Sequence, residues 1–152
     1  MKLITSPEKI ENLENPDKLL FLAGSIEMGL AEPWQEKVVN SLKKTDWIIL
    51  NPRRTEWDDS WEQTINNPLF KEQVEWELNA QLQANTVLMY FSPDTKSPIT
   101  LLELGLLAKN NSKLLVVCPE GFWRKGNIEV VCNFFQIPLR ENLEQTIKEF
   151  LI

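Results

Sequence analysis

One acid stands out in Ser97-Pro98-Ile99-Thr100-Leu101-Leu102-Glu103-Leu104-Gly105, where Glu103 is embedded among leucines at 101, 102, 104, 106 and 107. A carboxylate in so apolar a helix-forming segment is partly desolvated wherever the helix packs, and a buried charge is either paired or put to use. If used, it is a nucleophile or a general base; if only paired, it is a helix acid held by an ion pair or by the macrodipole. Glu75 and Glu77, in Gln73-Val74-Glu75-Trp76-Glu77, are the nearest second source of a carboxyl. Two residues apart on a helix they point in different directions, so only one faces a common site. Glu103 with Glu77 would form the carboxylate pair of glycoside chemistry, in which one acid attacks and the other gives a proton or orients a group. The plain alternative for Glu77 is a solvated helix face.

The chain has no histidine. Ser-His-Asp and Cys-His arrangements are therefore excluded, and proton transfer near neutral pH falls to carboxylates, Tyr90, lysine, cysteine or the substrate. Cys118 and Cys132 have thirteen residues between them and no second pair beyond, so zinc-site spacing is absent. They read as buried thiols of a reducing cytoplasm, and neither a metal nor an organic cofactor is expected. A net charge of −6 and a pI near 4.8 argue against a nucleic-acid polymer as partner. With no apolar h-region and no run of eighteen apolar residues, neither a signal peptide nor a membrane span is expected, and the cytoplasm is the expected location. A chain of 152 residues, 43% hydrophobic, is expected to form one domain over 1–152.

The elements that must position these acids alternate. Residues 1–18, with Pro7 and Pro16, read as a loosely held N-terminal segment. Leu19 to Ala23 is a continuous apolar run stopped by Gly24-Ser25, the pattern of a strand buried on both faces. A glycine-containing loop follows, then Pro33 and a helix to about Lys44. Trp47 to Leu50 is the second strand, ended by Asn51-Pro52, and a polar loop rich in Trp and Asp runs from Arg53 to Asn67. Pro68 opens a helical pattern with Phe70, Val74, Leu78 and Leu82 at near-helical spacing on one face. Thr86 to Phe91 is the third strand, Ile99 to Asn110 a helix, and Leu114 to Cys118 the fourth strand. Residues after Gly126-Asn127 read as helix to Phe135, although Val130, Val131, Phe134 and Phe135 would also suit a strand. A last helix spans Asn142 to Leu151.

Four or five strands alternating with helices predict an α/β fold: an open, mostly parallel sheet with helices on both faces, a three-layer sandwich. In such sheets ligands bind beyond the carboxyl ends of the strands, near the switch in strand order. The tips there are Gly24-Ser25, Asn51-Pro52, Ser92 to Ser97 and Pro119-Glu120. Glu103 lies one turn into the helix that follows the third. Trp57 and Trp61 would stack on a nucleobase or pin their loop to the domain or to a partner subunit. Trp34 and Trp76 read as core, and Tyr90 as a strand residue whose hydroxyl is satisfied locally.

Five pieces in order carry a resemblance: Phe21-Leu22-Ala23-Gly24-Ser25-Ile26, Asn51-Pro52-Arg53-Arg54, Gln73 to Glu77, Ser97 to Gly105, and Gly126-Asn127-Ile128. Together, over residues 19 to about 131, they resemble the nucleoside 2-deoxyribosyltransferase superfamily, which includes the 2′-deoxynucleoside 5′-phosphate N-hydrolases. The resemblance implies a flavodoxin-like (Rossmann-like) domain that breaks or exchanges an N-glycosidic bond without cofactor, as a homo-oligomer, on a nucleoside or nucleotide. Glu103 matches the family's nucleophile, and Glu77 falls where relatives carry an aspartate that handles the base or its proton. Ser25 and Ser97 match serines that contact the 5′-phosphate in the N-hydrolases. Asn127 matches a residue that some relatives lend to a neighbouring subunit's site.

The departures matter as much. Phe21 stands where many relatives place a tyrosine, removing a hydroxyl that would orient the nucleophile, and Glu77 adds a methylene to the expected aspartate. A shift of about 1 Å in a reacting group costs roughly two orders of magnitude in rate. Glu27 and Glu32 bring negative charge to the Gly24-Ser25 turn and favour nucleosides over 5′-nucleotides. Arg53 and Arg54 are either phosphate contacts or partners of surrounding acids. Three readings remain open: a deoxyribosyltransferase, a deoxynucleoside 5′-monophosphate N-hydrolase, and a protein that holds a nucleotide-derived ligand without turnover.

Overall fold

The computed structural model describes residues 1–26, 32–54 and 60–152. Six strands, β1 (Lys2–Thr5), β2 (Leu19–Gly24), β3 (Ile48–Asn51), β4 (Thr86–Tyr90), β5 (Leu114–Val117) and β6 (Leu139–Arg140), form one parallel sheet in the order β1-β3-β2-β4-β5-β6. Between them run α1 (Trp34–Ser41), α2 (Pro68–Gln83), α3 (Pro98–Leu107), α4 (Lys125–Phe135) and, after β6, α5 (Leu143–Phe150). With β1 set aside, the order is that of a flavodoxin-like sheet.

The sheet has six strands where the sequence predicts four or five, and the difference lies at its edges. Residues 2–5 are not loosely held: they pair with β3 in register from Lys2 opposite Ile48 to Thr5 opposite Asn51, and the Met1 ammonium donates to the Thr45 carbonyl at 2.6 Å. As an edge strand with only Ile4 fully buried, Lys-Leu-Ile-Thr carries none of the apolar continuity that marks an inner strand. The two-residue β6 pairs with β5 and is too short to leave a pattern.

Leu19 to Ala23 is buried along its whole length because helices cover both faces. Leu19, Phe21 and Ala23 pack in the cluster containing Trp76 of α2, Leu104 of α3 and Ile128 of α4. Leu20 and Leu22 point the other way, into the cluster of Trp34 and Val38 of α1 with Leu143 and Ile147 of α5. Truncating one of these fully buried leucines, for example Leu88→Ala, costs about 2–5 kcal/mol. From β2 the chain crosses to β3 through α1, then returns over the sheet through α2 to β4. The carboxyl ends of β2 and β4 thus flank the switch point, where a ligand crevice forms.

Helix α2 turns most of its apolar stripe outward. Its buried residues are Gln73, Trp76, Ala80 and Gln81, whereas Val74, Leu78 and Leu82 are exposed. The segment after Gly126-Asn127 is helical, and α1 stops at Ser41 rather than near Lys44.

Candidate active site

The tips of β2 and β4 are locked together by hydroxyls. Gly24 ends β2 at φ +154°, and a Cβ there would lie 2.5 Å from the Tyr90 carbonyl oxygen and 2.7 Å from the Trp34 ring, so only glycine fits. The next residue, Ser25, is buried; its Oγ accepts the Ser92 N–H at 2.9 Å and lies 2.9 Å from Thr95 Oγ1 and 2.5 Å from Ser97 Oγ. Thr95 Oγ1 donates to the Ser92 carbonyl at 2.9 Å and sits 2.7 Å from Ser97 Oγ. The Trp34 indole N–H fixes the Ser25 carbonyl at 3.0 Å. Ser97 itself adopts a left-handed conformation, φ 47°, at the head of α3, and Pro98 supplies the preset φ of the helix's first residue. The hydroxyl cluster therefore lies at the N-terminus of α3, the positive end of the helix dipole.

Further along α3, Glu103 is only 8% exposed and accepts a hydrogen bond from the Gln81 side-chain amide of α2. One turn before Gln81, half-buried Glu77 accepts from Gln73 Nε2 at 2.7 Å. Gln73 is held in turn by the Pro52 carbonyl at 2.8 Å and by the Ser6 hydroxyl at 2.6 Å. Gln73, Glu77 and Gln81 thus form an i, i+4, i+8 row on one side of α2. Burial pushes the Glu103 carboxyl up to about 8, with the Glu77 charge adding to the rise and the Gln81 amide opposing it. Burial likewise pushes Glu77 up to about 7 against the Gln73 hydrogen bond. Near neutral pH the two acids hold protons between them, and each carboxyl has one fixed amide donor. Glu75 points elsewhere, exposed and 3.6 Å from Lys71.

The remaining candidates divide. Asn51, at the end of β3, accepts the Arg53 N–H with its side-chain oxygen at 3.1 Å and so shapes the turn that carries half-buried Arg53. Arg54 pairs with Glu72 at 3.0 Å and its guanidinium lies 5.3 Å from the centre of the Trp61 ring, an arrangement that ties this loop to α2. Trp57 and Glu27 lie outside the described residues. Asn127 is exposed in the first turn of α4. Phe21 is buried with its ring 6.5 Å from that of Trp76. Tyr90 does not satisfy its hydroxyl locally: it donates to Glu32, 58 residues away, at 2.7 Å, and Glu32 also binds Lys37 at 2.5 Å.

Sequence reasoning missed Gln73, Gln81 and Thr95. The signal that marks Gln73 and Gln81 is their i−4 and i+4 spacing about Glu77. Among the described residues no group of three or more His, Cys, Asp or Glu side chains is placed to hold a metal ion. Cys118 and Cys132 are buried, and burial raises them to about 12 and about 11, so neither is a ready nucleophile. A groove of about 660 Å³ lies at the amino ends of β2 and β3, lined by residues including Lys18, Asp46 and Trp47. None of its lining polar side chains is buried. Among the described residues no helix is long and apolar enough to cross a membrane.

The site thus has a buried carboxyl and a second acid, each held by an amide, on two helices beside a hydroxyl-lined turn. No curated protein matches the chain at a significant level. The model of the family described as "nucleoside 2-deoxyribosyltransferase like" matches residues 17–122, which hold β2 to β5, α1 to α3 and the acids, amides and hydroxyls of the site, whereas Ser6 and Asn127 lie outside it. That match covers more than half of the chain, and the protein belongs to this family.

Proposed function

We propose that the protein breaks or exchanges the N-glycosidic bond of a 2′-deoxynucleoside through a covalent intermediate on Glu103. The observation that carries this reading is the desolvated Glu103 carboxyl, held by Gln81 and electrostatically coupled to Glu77 on the neighbouring helix. In the reaction the ionised Glu103 attacks C1′ and the C1′–N bond breaks with its electron pair passing to the base. The base takes the proton of the Glu77 carboxyl and leaves, and the sugar stays as an ester on Glu103. A second base or a water then attacks C1′, giving its proton to Glu77, and the C1′–O bond to Glu103 breaks with its electron pair returning to the carboxylate. In the free protein Glu103 is the weaker acid, so the step needs its deprotonation; positive charge developing at C1′ favours the Glu103 anion as the bond breaks. Ser25, Ser97, Asn51, Arg53, Trp57 and Asn127 are proposed as substrate contacts, with Gln73 and Gln81 as positioning residues.

Hydrolysis of a 2′-deoxynucleoside 5′-monophosphate is the second reading, favoured by the clustered hydroxyls of Ser25, Thr95 and Ser97 at the head of α3. The charge of Glu32, which weighs against a phosphate there, is offset by its ion pair with Lys37. Binding without turnover is the third, motivated by Phe21 and Glu77. Incubation with deoxynucleosides and their 5′-monophosphates, with and without a second free base, separates the three. Base exchange that depends on the acceptor supports transfer, and free base with deoxyribose 5-phosphate supports hydrolysis. Ligand returned unchanged after long incubation would overturn the proposed chemistry.

A further inference from the structure

The N-terminal segment reaches the acids from outside the residues that the family model matches. Just beyond β1 the Ser6 N–H is held by the Asn51 carbonyl at 3.1 Å, and the buried Ser6 hydroxyl donates to Gln73 Oε1 at 2.6 Å. Two residues on, the Glu8 carbonyl accepts the Trp76 indole N–H at 2.7 Å. Ile10 and Leu13 then pack against the apolar cluster that contains Trp76. The segment therefore grips α2 at Gln73 and Trp76, in the turn that leads to Glu77.

The Gln73 amide has an acceptor oxygen and a nitrogen with two N–H donors, and its surroundings use all of them. The Pro52 carbonyl only accepts, so the amide nitrogen must face it, and it does so at 2.8 Å. The other N–H of the same nitrogen goes to Glu77 Oε1 at 2.7 Å. Turned over, the amide would set its oxygen against two acceptors, the Pro52 carbonyl and the Glu77 carboxylate, at a residue only 3% exposed. Pro52 thus decides which way round the amide lies. Ser6 holds it there: without the hydroxyl, the amide oxygen is buried with no donor, and the side chain swings toward another.

We infer that Ser6 is a positioning residue for proton transfer: by pinning Gln73 it keeps a fixed donor on Oε1 of Glu77, so that the proton Glu77 gives to the base is carried on Oε2. This rests on Glu77 as the proton donor of the proposed reaction. A fixed N–H on a carboxyl favours its ionised form, and here it opposes the burial that holds Glu77 up. The charged groups nearby do not replace that donor. Glu103, on the neighbouring helix, is a second acid coupled to Glu77; Arg54, beyond Pro52, is paired with Glu72; Glu75 is paired with Lys71; and the Glu8 carboxyl accepts the Thr5 N–H. A residue outside the matched stretch 17–122 therefore tunes an acid inside it.

A carbon-13 NMR titration of the glutamate side-chain carboxyls, without substrate, tests this, with the Glu77 resonance assigned by its absence from Glu77→Gln. Ser6→Ala is expected to raise the Glu77 midpoint by roughly 0.5 to 1 pH unit, and Gln73→Met, which removes the donor itself, by at least as much. Ser6→Thr keeps a hydroxyl and is expected to restore the wild-type midpoint, a rescue that a purely structural role for Ser6 would not produce. The alkaline limb of kcat/KM is expected to move to higher pH with the midpoint in Ser6→Ala. A wild-type midpoint in folded Ser6→Ala or in Gln73→Met would overturn the inference. A midpoint that moves while the alkaline limb stays would uphold the grip of Ser6 on Glu77 and overturn Glu77 as the proton donor.

Discussion

At the scale of the residue, the account turns on a carboxyl that folding makes reluctant to ionise. Glu103 sits near 8 against an ordinary 4.5, chiefly because it is buried. Glu77 must hold the proton it gives to the base and the nucleophile must be ionised, so kcat/KM is expected to peak between about pH 7 and 8, falling above it as Glu77 loses its proton and rising towards it along an acid limb set by Glu103. Glu77→Gln removes a negative neighbour and is expected to move that limb to lower pH, while Gln81→Leu removes the stabilising donor and moves it higher. A limb that stays in place in both variants would detach it from Glu103. The same shift has a stability cost. Because the folded-state value is raised, the contribution is fully present below about pH 4.5 and is lost as pH rises through about 8. Glu103→Gln is therefore expected to melt several degrees above the wild type near pH 9 and close to it near pH 5. Equal melting temperatures at both pH values would mean that Glu103 is not held in a desolvated place.

At the scale of the element, the inner strands and the switch point are legible because fully buried parallel strands leave unbroken apolar runs, as Leu19 to Ala23 and Leu114 to Val117 do. Edge strand β1 leaves none. Helix α2 shows a deeper limit: an apolar stripe at helical spacing signals a buried face, but not what buries it. Val74, Leu78 and Leu82 point outward, and the inward side carries Gln73 and Gln81, whose value lies in the acids they hold. Ser25 and Ser97 are legible as strand-end residues, but their contact with Thr95 depends on the left-handed turn at Ser97, which no local pattern announces. The fit at Gly24 is a backbone contact between β2 and β4. Gly24→Ala is expected to destabilise the protein by roughly 2–4 kcal/mol, read as a lower denaturation midpoint. A midpoint within error of the wild type would show that the strand tips separate freely.

At the scale of the whole molecule, a parallel sheet brings residues from distant parts of the chain to one crevice at the carboxyl ends of β2 and β4. The central claim is nonetheless a bond to one oxygen. Its most direct measurement is mass spectrometry of the protein quenched during turnover of a 2′-deoxynucleoside, with proteolysis to locate any adduct. The account predicts a deoxyribosyl ester on the peptide containing Glu103. It predicts neither adduct nor free base from Glu103→Gln, whose turnover falls roughly a thousandfold or more. Free base released at the wild-type rate by a folded Glu103→Gln protein would contradict it.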